Sequence, residues 1–139
     1  MSAPWIANVG EAFAEKWTPD GNTVCISISE PGRKPRLPQF VDLIREHFQD
    51  YDSGKAPEGA VLFTPTHAAR LARFARKHRD AGRNILVHCA AGVSRSGAVV
   101  EALLEAFPEY EDRGWPRHPN GLVKSSMKRA LGLVPLGAE

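Results

Sequence analysis

The stretch Asn84–Gly97, NILVHCAAGVSRSG, passes from an apolar run through small residues to an arginine and decides how the chain folds. Asn84 to Cys89 has the length of a strand and enough Ile, Leu and Val to sit centrally in a sheet. From Ser96 onward, Val99, Val100, Leu103, Leu104 and Phe107 recur at helical spacing until Pro108 stops them. Cys89 and Arg95, separated by five residues, therefore bound a loop between a strand and a helix. Such a loop aims successive backbone N–H groups at one spot, and the positive end of the helix dipole adds to their field.

That geometry suits a tetrahedral dianion. Ala90, Ala91 and Gly92 keep side chains out of the cradle, glycine permits a positive φ where the chain must curl, and Val93 and Ser94 complete the turn. Arg95 supplies a planar fork for two oxygens, which lysine does not. The same field favours thiolate over thiol at Cys89, and Ser96 is placed to donate a hydrogen bond to the sulfur as it leaves. The loop is therefore expected to hold a phosphate, and the sulfur to attack it.

Working outward, Thr64-Pro65 is an N-cap followed by proline at the first helical position, with Ala68, Leu71, Ala72 and Ala75 on one stripe ending near Gly82. Arg70, Arg73, Arg76 and Lys77 fall on the opposite, solvated side. TVCISIS (23–29) is dense in β-branched and apolar residues, as a strand covered on both faces requires. EPGRKPRLP (30–38) is a loop whose Arg33, Lys34 and Arg36 are expected to be solvated. FVDLIREHFQDYDSG (40–54) fits either a helical face or a short strand at Ile44–Phe48. At the N-terminus, Asn8 and Glu11 are spaced as a capping box, and Val9, Ala12, Phe13 and Trp17 follow at helical spacing. A short opening helix before Pro19 is expected there. EDRGWPRHPNG (111–121) is expected to be a loop in which Asn120 forms a turn introducing a last helix. Val123, Met127, Ala130, Leu131 and Val134 share one face of that helix.

The chain's 139 residues, 42% apolar and 24% charged, suffice for one core, so 1–139 is expected to be a single domain. Eighteen Lys+Arg against sixteen Asp+Glu leave +2, which gives no support to nucleic-acid or membrane binding. Two cysteines and no charged-then-apolar leader fit a reducing cytoplasm rather than a disulfide scaffold. His67 and His118 have no partners at metal-ligand spacing, so no metal or other cofactor is expected. Cys25 in its apolar strand is a small buried hydrophobe, with a redox pairing to Cys89 as the lesser alternative.

HCAAGVSRS (88–96) resembles the His-Cys-x5-Arg-Ser signature of the protein tyrosine phosphatase superfamily, including glycine at the third position after cysteine. CISISEPG, FQDYD, LFTPTHAARLARFARKH and HPNGLV resemble its small dual-specificity-like branch in bacteria and phages, over most of the chain after Thr23. The resemblance implies an α/β fold with a central mixed or mainly parallel sheet flanked by helices. It also implies metal-free cleavage of phosphomonoesters through a cysteinyl-phosphate, and a loop-shaping role for His88. An aspartate on a loop upstream of the cysteine should protonate the leaving oxygen. The family's Phe-Asp-Asp maps onto Phe48-Gln49-Asp50 and favours Asp50, although Gln49 replaces the first aspartate. Asp52 is the alternative, and Asp42 and Asp80 are weaker candidates.

The expected function is a protein phosphatase acting on phosphotyrosine, with phosphoserine and phosphothreonine as further candidates. A short chain has little room for the loops that deepen a tyrosine-only pocket. The partner is then a phosphorylated protein. A phospho-reader that binds without cleaving is one alternative, and a sulfurtransferase or arsenate-reductase-like thiol enzyme is another.

Overall fold

Ile85, Leu86 and Val87 are each at most 1% exposed, because the run they belong to lies between two neighbouring strands with packing on both faces. The computed structural model describes residues 3–52, 54 and 56–134. Among them the strands are β1 (Trp5–Gly10), β2 (Thr23–Ser29), β3 (Leu43–His47), β4 (Asn84–Cys89) and β5 (Glu111–Asp112). The helices are α1 (Glu11–Glu15), α2 (Pro65–Asp80), α3 (Arg95–Ala106) and α4 (Gly121–Ala130). The sheet order is β3-β2-β4-β1-β5, and every pairing is parallel. The α/β expectation of a mixed or mainly parallel sheet thus resolves to a wholly parallel one. All strand C-termini consequently share one edge, where open α/β sheets bind ligands.

The two faces differ. Val24, Ile26 and Ile28 of β2, with Ile85, Val87 and Cys89 of β4, pack under the helices beside Leu71, Val99, Leu103 and Met127. Cys25 and Leu86 point the other way, into a smaller cluster with Trp5, Ala7, Val9 and Phe40. α2 begins as its residues require. The Thr64 hydroxyl accepts from the His67 N–H, Pro65 follows, and the stripe Ala68, Leu71, Ala72 and Ala75 is buried. On its outer side Arg70 grips Glu46 by two hydrogen bonds of 2.7 Å, while Arg73, Arg76 and Lys77 are exposed.

Three expectations need correction. The N-terminus does not open with a helix from Asn8: Trp5–Gly10 is a buried strand between β4 and β5, and α1 has only five residues. A strand buried on both faces shows no alternation, so the spacing of Asn8 and Glu11 imitated a cap that is not made. Glu11 instead pairs with Arg33. Glu111–Asp112, expected in a loop, adds a two-residue parallel edge to Trp5 and Ile6, supported by its neighbour and not by propensity. The last helix ends at Ala130, which leaves Leu131 as its cap residue and Val134 beyond it. The ambiguous stretch at 40–54 becomes β3, paired to β2 from Cys25↔Leu43 to Ser29↔His47; its Ser53 lies outside the described residues. No described helix is long and apolar enough to cross a membrane.

Leu71 is fully buried and Arg73 is exposed two residues along the same helix. In urea unfolding, Leu71→Ala should lower stability by about 2–5 kcal/mol with an unchanged m-value, whereas Arg73→Ala should stay within about 0.5 kcal/mol of the parent.

Candidate active site

β4 ends at Cys89 and α3 begins at Arg95, so residues 90–94 form a tight loop at the carboxyl edge of the sheet. The carbonyls of Ala90, Gly92, Val93 and Ser94 are held by donors from outside the loop. The Ala90 carbonyl accepts from the Glu11 N–H at 3.2 Å, and that of Val93 from the His118 N–H at 3.1 Å. The Ser94 carbonyl accepts from the Asn120 and Ala98 N–H groups, both at 3.0 Å. The Gly92 carbonyl accepts from Asn8 Nδ2 at 2.7 Å in a buried hydrogen bond. Carbonyls held from outside leave the amides between them available to the hollow of the loop, beside the N-terminus of α3.

Gly92 has φ +77°, as the curl demands, and a Cβ there would lie 2.3 Å from both Gly10 N and Val9 C. Its backbone thus rests directly on the end of β1. Gly10 is also the register partner of Cys89, which brings β1 alongside the sulfur.

Cys89 is 2% exposed, and its Sγ lies 3.1 Å from Ser96 Oγ. Arg95 is buried. Its Nη1 donates to the Phe48 carbonyl at 2.8 Å and lies 3.3 Å from Glu30 Oε1. Its Nε is buried and has no partner among the described residues. An unpaired buried donor on a charged side chain is costly, and here it lies on the residue that closes the loop. The guanidinium is therefore anchored on one edge and free to donate from another.

The two aspartates weighed for the acid have different surroundings. Asp50 Oδ1 accepts from Ser94 Oγ and from Asn120 Nδ2, both at 2.8 Å, which leaves Oδ2 unbonded among the described residues. Asp52 Oδ1 accepts the Leu122 N–H at 2.8 Å and so caps the first turn of α4. Asp50 therefore touches the loop, and Asp52 does not. Asp42 and Asp80 flank the N-terminal ends of β3 and β4, on the opposite edge of a parallel sheet and roughly 17–20 Å from the loop. Asp42 is held there by His78 at 2.8 Å.

His88 is fully buried on the face of the sheet opposite to Cys89. Its Nε2 lies 2.7 Å from Ser27 Oγ and its Nδ1 lies 3.5 Å from the Cys89 carbonyl. This fits a ring that accepts from the serine hydroxyl and leans its Nδ1–H on the Cys89 carbonyl, a positioning role. Burial holds the imidazole below its ordinary range, against smaller opposing effects of the Cys89 carbonyl and Glu11. Cys25, its thiol pushed up to about 12 by burial, points to the same face as His88, so the sheet separates it from Cys89. Both thiols are free.

The residues that complete the loop from outside were not evident from the sequence. Asn8 and Glu30 are distant from the motif along the chain, and Phe48 acts through its carbonyl, which has no signature. The one available signal was Asn8 itself, a polar residue inside the apolar run WIANV. Asn120 does introduce α4, by accepting from the Val123 N–H at 3.0 Å, but it also ties Asp50 and Tyr51 to the Ser94 carbonyl. Arg33, Lys34 and Arg36 are exposed, although Arg33 pairs with Glu11 beside the loop. No group of three or more His, Cys, Asp or Glu able to hold a metal ion occurs among the described residues. Scans against protein-family models, curated proteins and solved structures each find no match to the chain.

The state of His88 sets a pH signature. Unfolded, its imidazole takes a proton near ~6.5, whereas the folded site takes one only at lower pH, so below that point the unfolded chain binds more protons. Stability should therefore fall as pH drops from ~6.5 towards the folded value, and His88→Gln should flatten the slope of urea stability between pH 7 and pH 5. An unchanged slope would assign the loss to other groups.

Proposed function

We propose that the chain is a cysteine-dependent phosphatase of the protein tyrosine and dual-specificity kind, hydrolysing phosphotyrosine, and also phosphoserine and phosphothreonine, in proteins. The observation that carries this proposal is the buried Nε of Arg95, unpartnered among the described residues, on the residue that closes a loop whose carbonyls at Ala90, Gly92, Val93 and Ser94 are held from outside. Arg95 Nε has no acceptor among the described residues, and a phosphoryl group supplies several.

In the proposed reaction the amides of residues 90–95 and the Arg95 guanidinium bind three phosphoryl oxygens, and their charge grows in the transition state. Cys89 Sγ, as thiolate, attacks phosphorus opposite the ester oxygen. An S–P bond forms, the P–O bond breaks, and Asp50 passes a proton to the leaving oxygen. Its unbonded Oδ2 is the atom suited to carry that proton, while Ser94 and Asn120 hold Oδ1. Water then attacks phosphorus and gives a proton to Asp50, and sulfur departs with its electron pair. The Ser96 hydroxyl at 3.1 Å steadies that departing charge. Two free thiols on opposite faces of the sheet need no oxidising compartment, which supports a cytoplasmic location.

The test is phosphate release from p-nitrophenyl phosphate and from a phosphotyrosyl peptide, with chelator present. Cys89→Ser should abolish both. Asp50→Ala should slow the peptide by roughly 10²–10⁴-fold and the activated aryl ester much less, because a better leaving group needs less protonation. Asp52→Ala should not separate the two substrates. Tight phosphopeptide binding without release would instead make the chain a phospho-reader.

A further inference from the structure

The face of the sheet that carries Cys25 and Leu86 is covered thinly, since α1 has five residues. Next to α1 it leaves a hollow of about 180 Å³, floored by Trp5, Ala7, Val9 and Leu86, with Phe13 and Trp115 at its lip. Those two aromatic rings lie 5.7 Å apart in an edge-to-face arrangement. Phe13 is 46% exposed and Trp115 37%, and single exposed apolar residues are ordinary, but an aromatic pair over an apolar floor marks a contact site.

The position of this lip is what gives it meaning. The point where a Cβ would stand on Gly10 is 3.2 Å from the Trp115 ring and 3.4 Å from the carbonyls of both Ala90 and Ala91. Gly10 pairs with Cys89, so the ring stands about two strand spacings or less from the nucleophile's backbone. An extended peptide advances roughly 3.3–3.6 Å per residue, so a side chain one or two positions from a residue bound in the loop reaches the hollow. A cavity of roughly 150 Å³ accommodates a benzene ring, so about 180 Å³ has room for one leucine- or phenylalanine-sized side chain.

We infer that the hollow under Phe13 and Trp115 is a specificity subsite. Resting on the phosphatase proposal above, it makes the substrate a phosphoprotein segment with a bulky apolar side chain one or two residues from the phosphorylated one. Apolar contact there adds to transition-state binding without touching the reacting atoms.

The experiment compares kcat/KM over a set of phosphotyrosyl peptides in which one leucine is moved through the two positions on each side of phosphotyrosine in an alanine background. One leucine position should be favoured by at least about tenfold over the all-alanine peptide. That ratio should fall towards one in Phe13→Ser and in Trp115→Ala, and should persist in Val41→Ser, which removes an equally exposed apolar side chain at the far edge of the sheet. Because each enzyme serves as its own reference, a variant with a lower folded fraction still reports the ratio. Equal rates for all peptides, or a preference that survives both aromatic substitutions, overturns the subsite while p-nitrophenyl phosphate hydrolysis leaves the phosphatase proposal standing. Absence of that hydrolysis in the unsubstituted chain removes both.

Discussion

Everything at the carboxyl edge of this sheet depends on keeping the carbonyl oxygens of residues 90–94 out of the loop's interior. A short loop cannot satisfy its own polar backbone, so each outward carbonyl needs a donor from elsewhere. Four residues supply them to Ala90, Gly92, Val93 and Ser94: Glu11 at the start of α1, Asn8 inside β1, His118 in the segment after β5, and Asn120 at the start of α4. The strand order makes this possible, because it sets β1 directly beside β4 and brings Gly10 level with Cys89.

The charged groups are organised on that frame in layers. Arg95 is pinned by the Phe48 carbonyl, and two residues further along the same backbone Asp50 is pinned by Ser94 and Asn120. The guanidinium and the carboxylate are thus fixed by one short segment leaving β3, and a shift of that segment moves both. Phe48 is itself fully buried, its ring 4.8 Å from that of Phe63, so core packing holds the segment down. Burial here serves geometry as much as stability.

The two faces of the sheet divide the work. The helical face carries the large core, Cys89, and the side chains that shape the loop. The other face carries His88, Ser27, Cys25 and the aromatic group around Trp5, under little more than α1 and the segment containing Phe40. A buried neutral imidazole braces the loop from beneath, while the thin cover leaves apolar surface close to the loop's rim.

The sequence by itself determined the strand–loop–helix at 84–106, glycine at the one loop position with positive φ, the start and buried stripe of α2, and β2. These are local: short-range periodicity, caps and the reach of consecutive amides dictate them within a few residues. For the expected acid it left a pair of aspartates on one loop, and the family resemblance alone put Asp50 ahead of Asp52. Only the tertiary structure decided that WIANVG is a strand, that Glu111–Asp112 extends the sheet, that Asp52 caps α4, and that Asn8 holds the loop. Those outcomes rest on pairings between residues far apart in the chain, 84 positions for Asn8 with Gly92 and 70 for Leu122 with Asp52. Neither partner in such a contact alters the local pattern around the other, so the preference arises only once the sheet has brought them together.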